Sequence, residues 1–413
     1  MKSPKLLLLT ALSLGGFLFI GHAAAASPFT GAVTIDAPPP TDVTYANSDA
    51  LFGAMFFNSL SAINAGYVGV ETVTIDGNYR GVGINYFSPH FNPAEIHLTI
   101  PSLGVDTAFT GGTREASAQA LYDFLKSGNL LADLSRELVK SSPTDPIAGN
   151  PNSMMSTMVA SDYDQSFTSD FSNIASAETA TATMVSSDKL TQVGIGLVFG
   201  QMTQGGTDVS NMTIPLSYSI RNDLDPRRQL LLRMPISIVD VDGAKAYNVG
   251  FGASYRFPMS QKWTLVPSVN YGLTASKDLG STAQMVSAGI TSTYYWRRPG
   301  YDVGIGNMLG FVTTMPFSYG GYNYDPNISN TVLRNGVMWS MPTVISGRKL
   351  HFETSVTDTR FFGTQLYSDS FQEVRFSLGT SRSAKATSVL RGGLALRHMK
   401  GDTGFNLEFG YWF

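Results

Sequence analysis

The histidines of this 413-residue chain are the side chains best suited to acid–base or metal chemistry, and there are five of them. They are His22, His90, His97, His351 and His398. His351 and Glu353 would share one face of a strand, where residues of this kind more often form a polar wall than a catalytic pair. The sequence has no Gly-x-Ser-x-Gly nucleophile elbow. We therefore expect no enzyme, and a hydrolase remains the second alternative function.

Candidate metal ligands are equally sparse. His90 and His97 do not have the spacing of a zinc site. The Asp-Val-Asp-Gly run at 240–243 suggests the start of a calcium loop, but the later acidic ligand is missing. The chain contains no cysteine, which excludes thiolate ligands, thiolate catalysis and disulfides. We expect neither a metal nor a cofactor.

Arginines and glutamates recur inside otherwise apolar segments of the second half of the chain. Such charges must face water or a partner group if these segments cross a membrane, because a lipid-facing Arg near the bilayer centre costs roughly 2–4 kcal/mol. The expected lumen-lining residues are Arg221, Arg233, Arg256, Arg297, Glu353, Glu373, Arg375, Arg391, Arg397 and Glu408. They could line a pore, pair with an inserted helix or pair only with one another. The net charge of −3 gives no reason to expect nucleic acid as a partner.

The elements that carry these charges have a two-residue period. Val193, Ile195, Leu197 and Phe199 alternate with glycine and polar residues, and the segment 247–255 alternates in the same way. This pattern is typical of an antiparallel transmembrane β-barrel, with one face toward lipid and the other toward a polar interior. Residues 190–413 contain about twelve such segments. Ten or fourteen strands remain possible, because 332–341 and 387–398 alternate poorly.

The final segment is the strongest single indication of membrane insertion. Five large apolar residues lie on one face of the expected last strand: Phe405, Leu407, Phe409, Tyr411 and Phe413. This arrangement resembles the C-terminal signal that the barrel-assembly machinery of Gram-negative bacteria reads. We therefore expect this machinery and outer-membrane lipids as partners, and the Gram-negative outer membrane as the location.

The preceding half of the chain divides into five shorter regions. Residues 1–26 have the charged, apolar and small-residue parts of a secretory signal peptide. Residues 27–45 are predicted to be an extended leader, and 46–142 a small α+β domain. Residues 143–168 contain several prolines and are predicted to be a linker. The Ser-, Ala- and Thr-rich segment 169–189 is predicted to be a helix in the barrel lumen, with a flexible linker as the alternative.

The small domain has local signals of its own. The Asp-Gly pair in 76–78 favours a tight hairpin between strands at 68–75 and 79–86. Asp49 to Ala65 is predicted to be helical. Thr113 can cap a helix that runs from Arg114 to Lys140, with a break at Gly128.

Together, these features resemble the autotransporter β-domain family, and more narrowly a solitary barrel without a long repetitive passenger. The resemblance covers about 165–413 and implies a non-enzymatic barrel that displays, or is plugged by, its N-terminal region. Residues 27–165 contain no long repeat, and 169–189 lacks the Asn-Asn pair of self-cleaving members. We therefore do not expect self-release. A channel or porin for small solutes is the alternative; the partner of the N-terminal region, and its side of the membrane, stay open.

Overall fold

The computed structural model describes residues 28–90, 94–167, 191–222, 225, 227–319, 322–380 and 389–412. The predicted signal peptide, the predicted helix at 169–189 and Phe413 lie outside these residues. The described part consists of an N-terminal α+β domain, a closed barrel and one helix inside the barrel.

The N-terminal domain is built on a six-stranded antiparallel sheet with the order β2-β1-β3-β4-β5-β6. Its strands are β1 (Phe29–Ile35), β2 (Thr41–Thr44), β3 (Val73–Tyr79), β4 (Val82–Ser88), β5 (Glu95–Ile100) and β6 (Val105–Thr110). The prediction of an extended leader at 27–45 is wrong, because β1 and β2 belong to this sheet. Phe29 and Val33 lie on the buried face of β1, and their side chains pack in the domain core.

The predicted turn between β3 and β4 is also wrong. The chain reverses at Arg80 and Gly81, whose positive φ angles of 54° and 98° suit a two-residue hairpin turn. The Asp-Gly pair lies within β3 instead. A Cβ at Gly77 would lie 2.5 Å from the Ile84 carbonyl oxygen, so glycine is required there by close strand approach.

Helices cover one face of this sheet: α1 (Ser48–Phe52), α2 (Phe57–Ile63), α3 (Arg114–Leu125) and α4 (Gly128–Ser141). Thr113 caps α3 by accepting a hydrogen bond from the Ala116 amide, and the predicted break before α4 is confirmed. The single helix predicted from Asp49 is two short helices. No helix in the described ranges is both long and apolar enough to cross a membrane.

The loop before β3 is held by one buried carboxylate. Glu71 Oε1 accepts the Val68 amide at 2.9 Å, and Oε2 accepts the amides of Gly69 and Val70 at 2.8 and 2.9 Å. Burial alone would raise the pKa of Glu71, but these amide hydrogen bonds outweigh it and hold the pKa below its usual value.

We expect this loop to lose its order in acid. A carboxyl whose folded pKa is lowered stabilises the fold above its unfolded pKa of about 4.3, and this contribution is lost as the pH falls through the folded value. Hydrogen exchange of the amides at 68–70 should accelerate below about pH 4.3 relative to the intrinsic rate. Glu71→Gln should exchange fast at every pH, and an identical pH profile in that variant would contradict the assignment.

Twelve long antiparallel strands close the barrel. They are β7 (Thr191–Gln204), β8 (Thr207–Arg221), β9 (Gln229–Val241), β10 (Ala244–Pro258), β11 (Trp263–Ser276), β12 (Ser281–Arg298), β13 (Tyr301–Met315), β16 (Ser329–Ile345), β17 (Arg348–Gly363), β18 (Ser370–Thr380), β19 (Val389–Met399) and β20 (Asp402–Trp412). A small hairpin of β14 (Phe317–Tyr319) and β15 (Tyr322–Tyr324) lies between β13 and β16. The predicted count of twelve is confirmed.

Closure occurs between β20 and β7, from Gly404 opposite Met202 to Trp412 opposite Gly194. Every strand therefore has two neighbours, and the barrel has no open edge. The connection between β16 and β17 is a two-residue turn, Ser346 and Gly347, both with positive φ angles.

The outer wall of the barrel is apolar. Phe251, Val269 and Leu309 each expose more than half of their side-chain surface on this wall. Of the proposed assembly signal, Phe405, Leu407, Phe409 and Tyr411 lie on the same face of β20, opposite the buried Asn406. An apolar belt around a closed barrel is the requirement for crossing a bilayer with strands.

The two ends of the barrel differ. We call the end where β7 begins and β20 ends the terminal end. The opposite end carries the turns at 205–206, 242–243, 277–280 and 400–401 and the longer connections at 316–328 and 364–369. The N-terminal domain contacts this second end, which we call the domain end.

Candidate functional site

The lumen contains a helix, α5 (Met154–Phe167), that packs against β10, β11, β12 and β13. The prediction of a linker over 143–168 is therefore wrong for its second half. The prolines of 143–151 indicate a linker, but a helical pattern follows them. Its apolar residues recur at the i, i+4 spacing of one helix face: Met155, Val159, Tyr163 and Phe167. These four side chains are almost completely buried.

Glycines on the barrel wall make room for the large side chains of α5. A Cβ at Gly306 would lie 2.7 Å from Tyr163 Oη and 2.8 Å from a ring carbon of Phe167. A Cβ at Gly336 would lie 2.5 Å from the same hydroxyl. Tyr163 also donates to the Gly306 carbonyl at 3.1 Å. α5 thus lies in a groove of the barrel wall, and this groove exists because Gly306 and Gly336 have no side chains.

The acidic residues of α5 pair with arginines of the barrel. Asp162 forms a buried ion pair with Arg233 and accepts a hydrogen bond from Asn270 Nδ2 at 2.5 Å. Arg233 Nη1 also donates to the Ser161 carbonyl at 3.0 Å. Because both charges are buried, removal of either partner would leave the other without compensation.

A second and larger ionic cluster surrounds Asp164. Its carboxylate lies 2.8 Å from Arg375 Nη2 and 3.5 Å from Arg334 Nη2. Glu373 joins the cluster through Arg375 and Arg397, each at 2.8 Å. Arg375 Nε lies 3.2 Å from Glu408 Oε2. The helix and the barrel wall are therefore joined by alternating charges.

The last carbonyl groups of α5 also have barrel donors. Arg256 Nη2 donates to the Gln165 carbonyl at 2.7 Å, and Tyr295 Oη donates to the Phe167 carbonyl at 2.7 Å. A guanidinium at a helix C-terminus interacts favourably with the helix dipole. These contacts fix the end of α5 near the terminal end of the barrel.

The opposite half of the lumen is hollow. A cavity of about 340 Å³ with both polar and apolar lining residues lies between α5 and the wall formed by β7–β9 and β17–β20. Glu353, Arg391 and Arg221 line it. Arg391 forms a two-point contact with Glu353 at 2.5 and 3.2 Å, and Arg221 Nη2 donates to Gln192 Oε1 at 2.9 Å. The lumen is thus narrowed by the helix rather than filled.

The expected lumen residues therefore have separate roles. Most of them contact α5, its ionic cluster or the cavity, whereas Arg297 lies opposite Asp302 near the terminal end of β12. Sequence reasoning missed Arg334, a fully buried guanidinium 5.1 Å from the Tyr163 ring. Asp162 and Asp164 are not among the expected lumen residues either, because the sequence predicts a linker at 143–168.

The arrangement around His351 does not meet the needs of a hydrolase. Ser340 Oγ lies 3.4 Å from His351 Nδ1 and 3.4 Å from Glu353 Oε1, but Glu353 is paired with Arg391. Ser340 is 2% exposed, and its strand is paired on both sides, so nearby amides are used in the ladder rather than aimed at an oxyanion. Among the described residues, no group of three or more His, Asp and Glu could hold a metal ion.

The N-terminal domain contacts the barrel through the tip of its β3–β4 hairpin. Arg80 Nη1 donates to Ser281 Oγ at 2.7 Å, and Nη2 lies 2.9 Å from Asp145 Oδ2 in a completely buried ion pair. Tyr79 Oη donates to the carbonyls of Leu279 and Gly280 at 3.3 and 3.2 Å. Burial raises the pKa of Tyr79 to about 12, so it remains a donor.

Helix α4 and the chain after it add a second set of contacts. Arg136 Nε donates to the Pro326 carbonyl at 3.1 Å, and Tyr324 Oη donates to Ser135 Oγ at 2.5 Å. The Tyr367 amide donates to the Val139 carbonyl at 2.8 Å. The domain is thus held by two connections of the barrel, 316–328 and 364–369.

We expect Arg80→Ala to loosen the domain from the barrel. Loss of one partner of a buried ion pair costs roughly 3–5 kcal/mol. Burial already raises the pKa of the Asp145 carboxyl against the effect of Arg80, so protonation of Asp145 should keep the cost near the lower bound. Hydrogen exchange of the β3–β4 hairpin should rise, with the barrel strands unchanged. Arg80→Ala/Asp145→Ala should recover part of the protection, and normal protection in the single variant would contradict this role.

These features define a class: an outer-membrane type of β-barrel with a helix in its lumen and a domain at one mouth. The closed barrel of twelve strands confirms the barrel architecture expected from the sequence, and the helix described in its lumen is α5. No family model and no curated protein sequence matches the chain.

Several solved structures are similar to it. The translocator domain of the autotransporter NalP from Neisseria meningitidis has a TM-score of 0.39 at 12% identity, covering 62% of this chain and 99% of that one. The β domain of the Bordetella autotransporter BrkA has a TM-score of 0.41 at 10% identity, covering 54% and 98%. The NanC porin has a TM-score of 0.36 at 10% identity, covering 52% and 98%. Translocator domains and porins are thus both among the similar structures.

Proposed function

We propose that this protein is a non-enzymatic autotransporter-type barrel of the Gram-negative outer membrane that holds its own N-terminal domain at the cell surface. The proposal rests on the path of the chain from the domain through the barrel lumen to β7. The domain lies at one mouth, α5 passes through the lumen, and β7 begins at the other mouth. A segment that crosses the barrel in this way connects a domain on one side of a membrane with strands that start on the other.

The direction of this path follows from the connections. Outer-membrane barrels have short turns on the periplasmic side and longer loops outside. The longest connection, 316–328, is at the domain end and contacts α4. We therefore assign the domain end to the cell exterior. The domain stays attached, because Arg80 donates a hydrogen bond to Ser281 of the barrel and α4 contacts the connection at 316–328.

Protease treatment of intact cells tests this orientation. An epitope inserted after the exposed Pro40 should be removed by added protease, whereas one inserted in the β12–β13 turn at 299–300 should survive until the outer membrane is permeabilised. The first insertion marks the N-terminal domain, and the second marks the terminal end of the barrel. Protection of the Pro40 epitope together with loss of the turn epitope would overturn the proposal and place the domain in the periplasm.

A channel for small solutes is the second candidate. The cavity of about 340 Å³ beside α5 favours it, because charged and polar side chains on its wall can hold water there. The domain at one mouth and the helix opposite the cavity narrow any such route. The two candidate functions predict different conductances of the protein, and deletion of α5 distinguishes them.

A further inference from the structure

An ordered loop of the N-terminal domain presents apolar side chains to water. Val68 is 70% exposed and Val70 is 46% exposed. Both belong to the loop whose amides bind Glu71, and Gly69 between them has a φ of 93°. A loop with this many internal hydrogen bonds cannot easily fold its valines inward, so their exposure is a fixed property of the domain.

The neighbouring residues extend and brace this surface. Phe57 is 44% exposed, and its ring would lie 3.8 Å from a Cβ on Gly69. Its ring centre is 5.4 Å from that of Tyr67, over which the Arg114 guanidinium lies at 5.7 Å. Arg114 Nη2 also donates to the Glu71 carbonyl at 2.9 Å. We call Phe57, Val68 and Val70 the apolar tip.

The apolar tip lies away from the barrel. Strand β3 begins just after this loop, at Val73, and ends at Tyr79, which contacts the barrel. Seven residues of strand span roughly 20 Å, at about 3.3 Å per residue. The tip is therefore separated from this barrel contact by the length of β3.

Two exposed carboxylates flank the tip. Glu115 Oε2 accepts the Phe57 amide at 3.2 Å, and Asp36 Oδ1 accepts the Thr72 amide at 2.9 Å. The guanidinium of Arg114 beside the tip is engaged by the Tyr67 ring and the Glu71 carbonyl. An apolar centre with an acidic rim repels a second copy of itself and an anionic lipid surface, and it complements an apolar surface with a basic rim.

We propose that the apolar tip is a docking site for a cationic amphipathic segment of a partner protein. This inference deepens the proposed function by naming the chemistry of the partner, and it rests on that function only for the cell-surface setting. Burial of the three apolar side chains supplies the attraction, and Asp36 and Glu115 select partners with lysine or arginine beside the apolar residues.

Fluorescence anisotropy on the full-length protein in zwitterionic nanodiscs tests the site, with empty nanodiscs as the blank. The probe is a labelled short peptide that alternates Leu and Lys, and its partner probe has Glu in place of Lys. Only the Lys peptide should bind, and added salt should weaken it. Val68→Thr/Val70→Thr keeps the side-chain shape and should weaken binding about tenfold, because two methyl groups are replaced by hydroxyls.

Val344→Thr is the matched control, since Val344 is 67% exposed and lies at the terminal end of the barrel, at the end of β16. It should bind like the wild type. The proposal would be overturned if the Glu peptide bound as tightly as the Lys peptide, or if the tip variant bound as tightly as the wild type. It would also be overturned if Val344→Thr weakened binding as much as the tip variant does. Stronger binding to bare anionic vesicles than to the Lys peptide would overturn it in favour of a lipid surface. None of these results depends on orientation in cells, so failure here is distinct from failure of the protease experiment.

Discussion

Deletion of α5, Met154–Phe167, is expected to convert a poorly conducting protein into an open channel that prefers anions. The helix occupies one half of the lumen and narrows the rest to a cavity of about 340 Å³. Its removal also takes away the carboxylates of Asp162 and Asp164. Arg233, Arg334 and Arg375 would then face water without these partners, and a ring of cationic groups attracts anions.

Planar bilayer recordings of the full-length and deleted proteins measure this effect. We expect several-fold higher conductance and a reversal potential shifted toward that of chloride. The segment 168–190 is long enough to join the domain to β7, because an extended residue spans about 3.3–3.6 Å. Heat-modifiable migration in detergent gels must first show that the shortened barrel folds.

A point substitution gives the same information without a deletion. Gly306→Leu places a side chain where Tyr163 and Phe167 now pack, so it should displace α5 and raise conductance. Gly83→Leu is the matched control, because a Cβ there has no neighbour within 4 Å and the residue lies in the N-terminal domain. Large conductance of the full-length protein, unchanged by either alteration of the helix site, would contradict the role of α5 and favour the channel function.

The barrel could be predicted from the sequence because its strands repeat one local rule. A two-residue period is visible in each segment without knowledge of its neighbours, and an even strand count follows from adding the segments. The exceptions are instructive. The segment 332–341 alternates poorly because the buried inner face of β16 combines Val332 and Met338 with Arg334, so this face is not uniformly polar.

The lumen helix could not be predicted in the same way, since its fit depends on the opposite partner. A narrow barrel favours small side chains on a helix in its lumen, and the segment 169–189 has such side chains. In the described part of the lumen the order is reversed: α5 has methionines and aromatic rings, and Gly306 and Gly336 on the wall are small. Complementary size between two distant segments leaves no periodic signal in either one.

The contact between the domain and the barrel could not be predicted from the sequence for a similar reason. Arg80 lies at a hairpin turn, where an arginine is usually solvated, and Asp145 lies among prolines. Each is ordinary in its local sequence, and only the approach of three separate regions makes them a buried pair.

Substitution of outward residues by arginine is expected to have the largest effect on assembly. Leu197 and Phe251 lie on the outer wall of β7 and β10, and Phe251 is 51% exposed there. An arginine at such a site near the bilayer centre costs roughly 2–4 kcal/mol. Leu197→Arg and Phe251→Arg should therefore reduce the fraction of folded barrel strongly, as measured by heat-modifiable migration and by recovery in outer-membrane fractions.

Gly250→Ala is the control on the inner face, one residue from Phe251. A Cβ there would lie 3.0 Å from Pro235 Cγ and 3.7 Å from the end of Met154, so a small shift of these side chains accommodates it. We expect nearly normal assembly. A shift of one residue in strand register would exchange the two faces, and it would make Gly250→Arg harmful and Phe251→Arg tolerated. Equal tolerance of arginine at 197, 250 and 251 would mean that neither face meets hydrocarbon, and it would overturn the membrane-spanning assignment of the barrel itself.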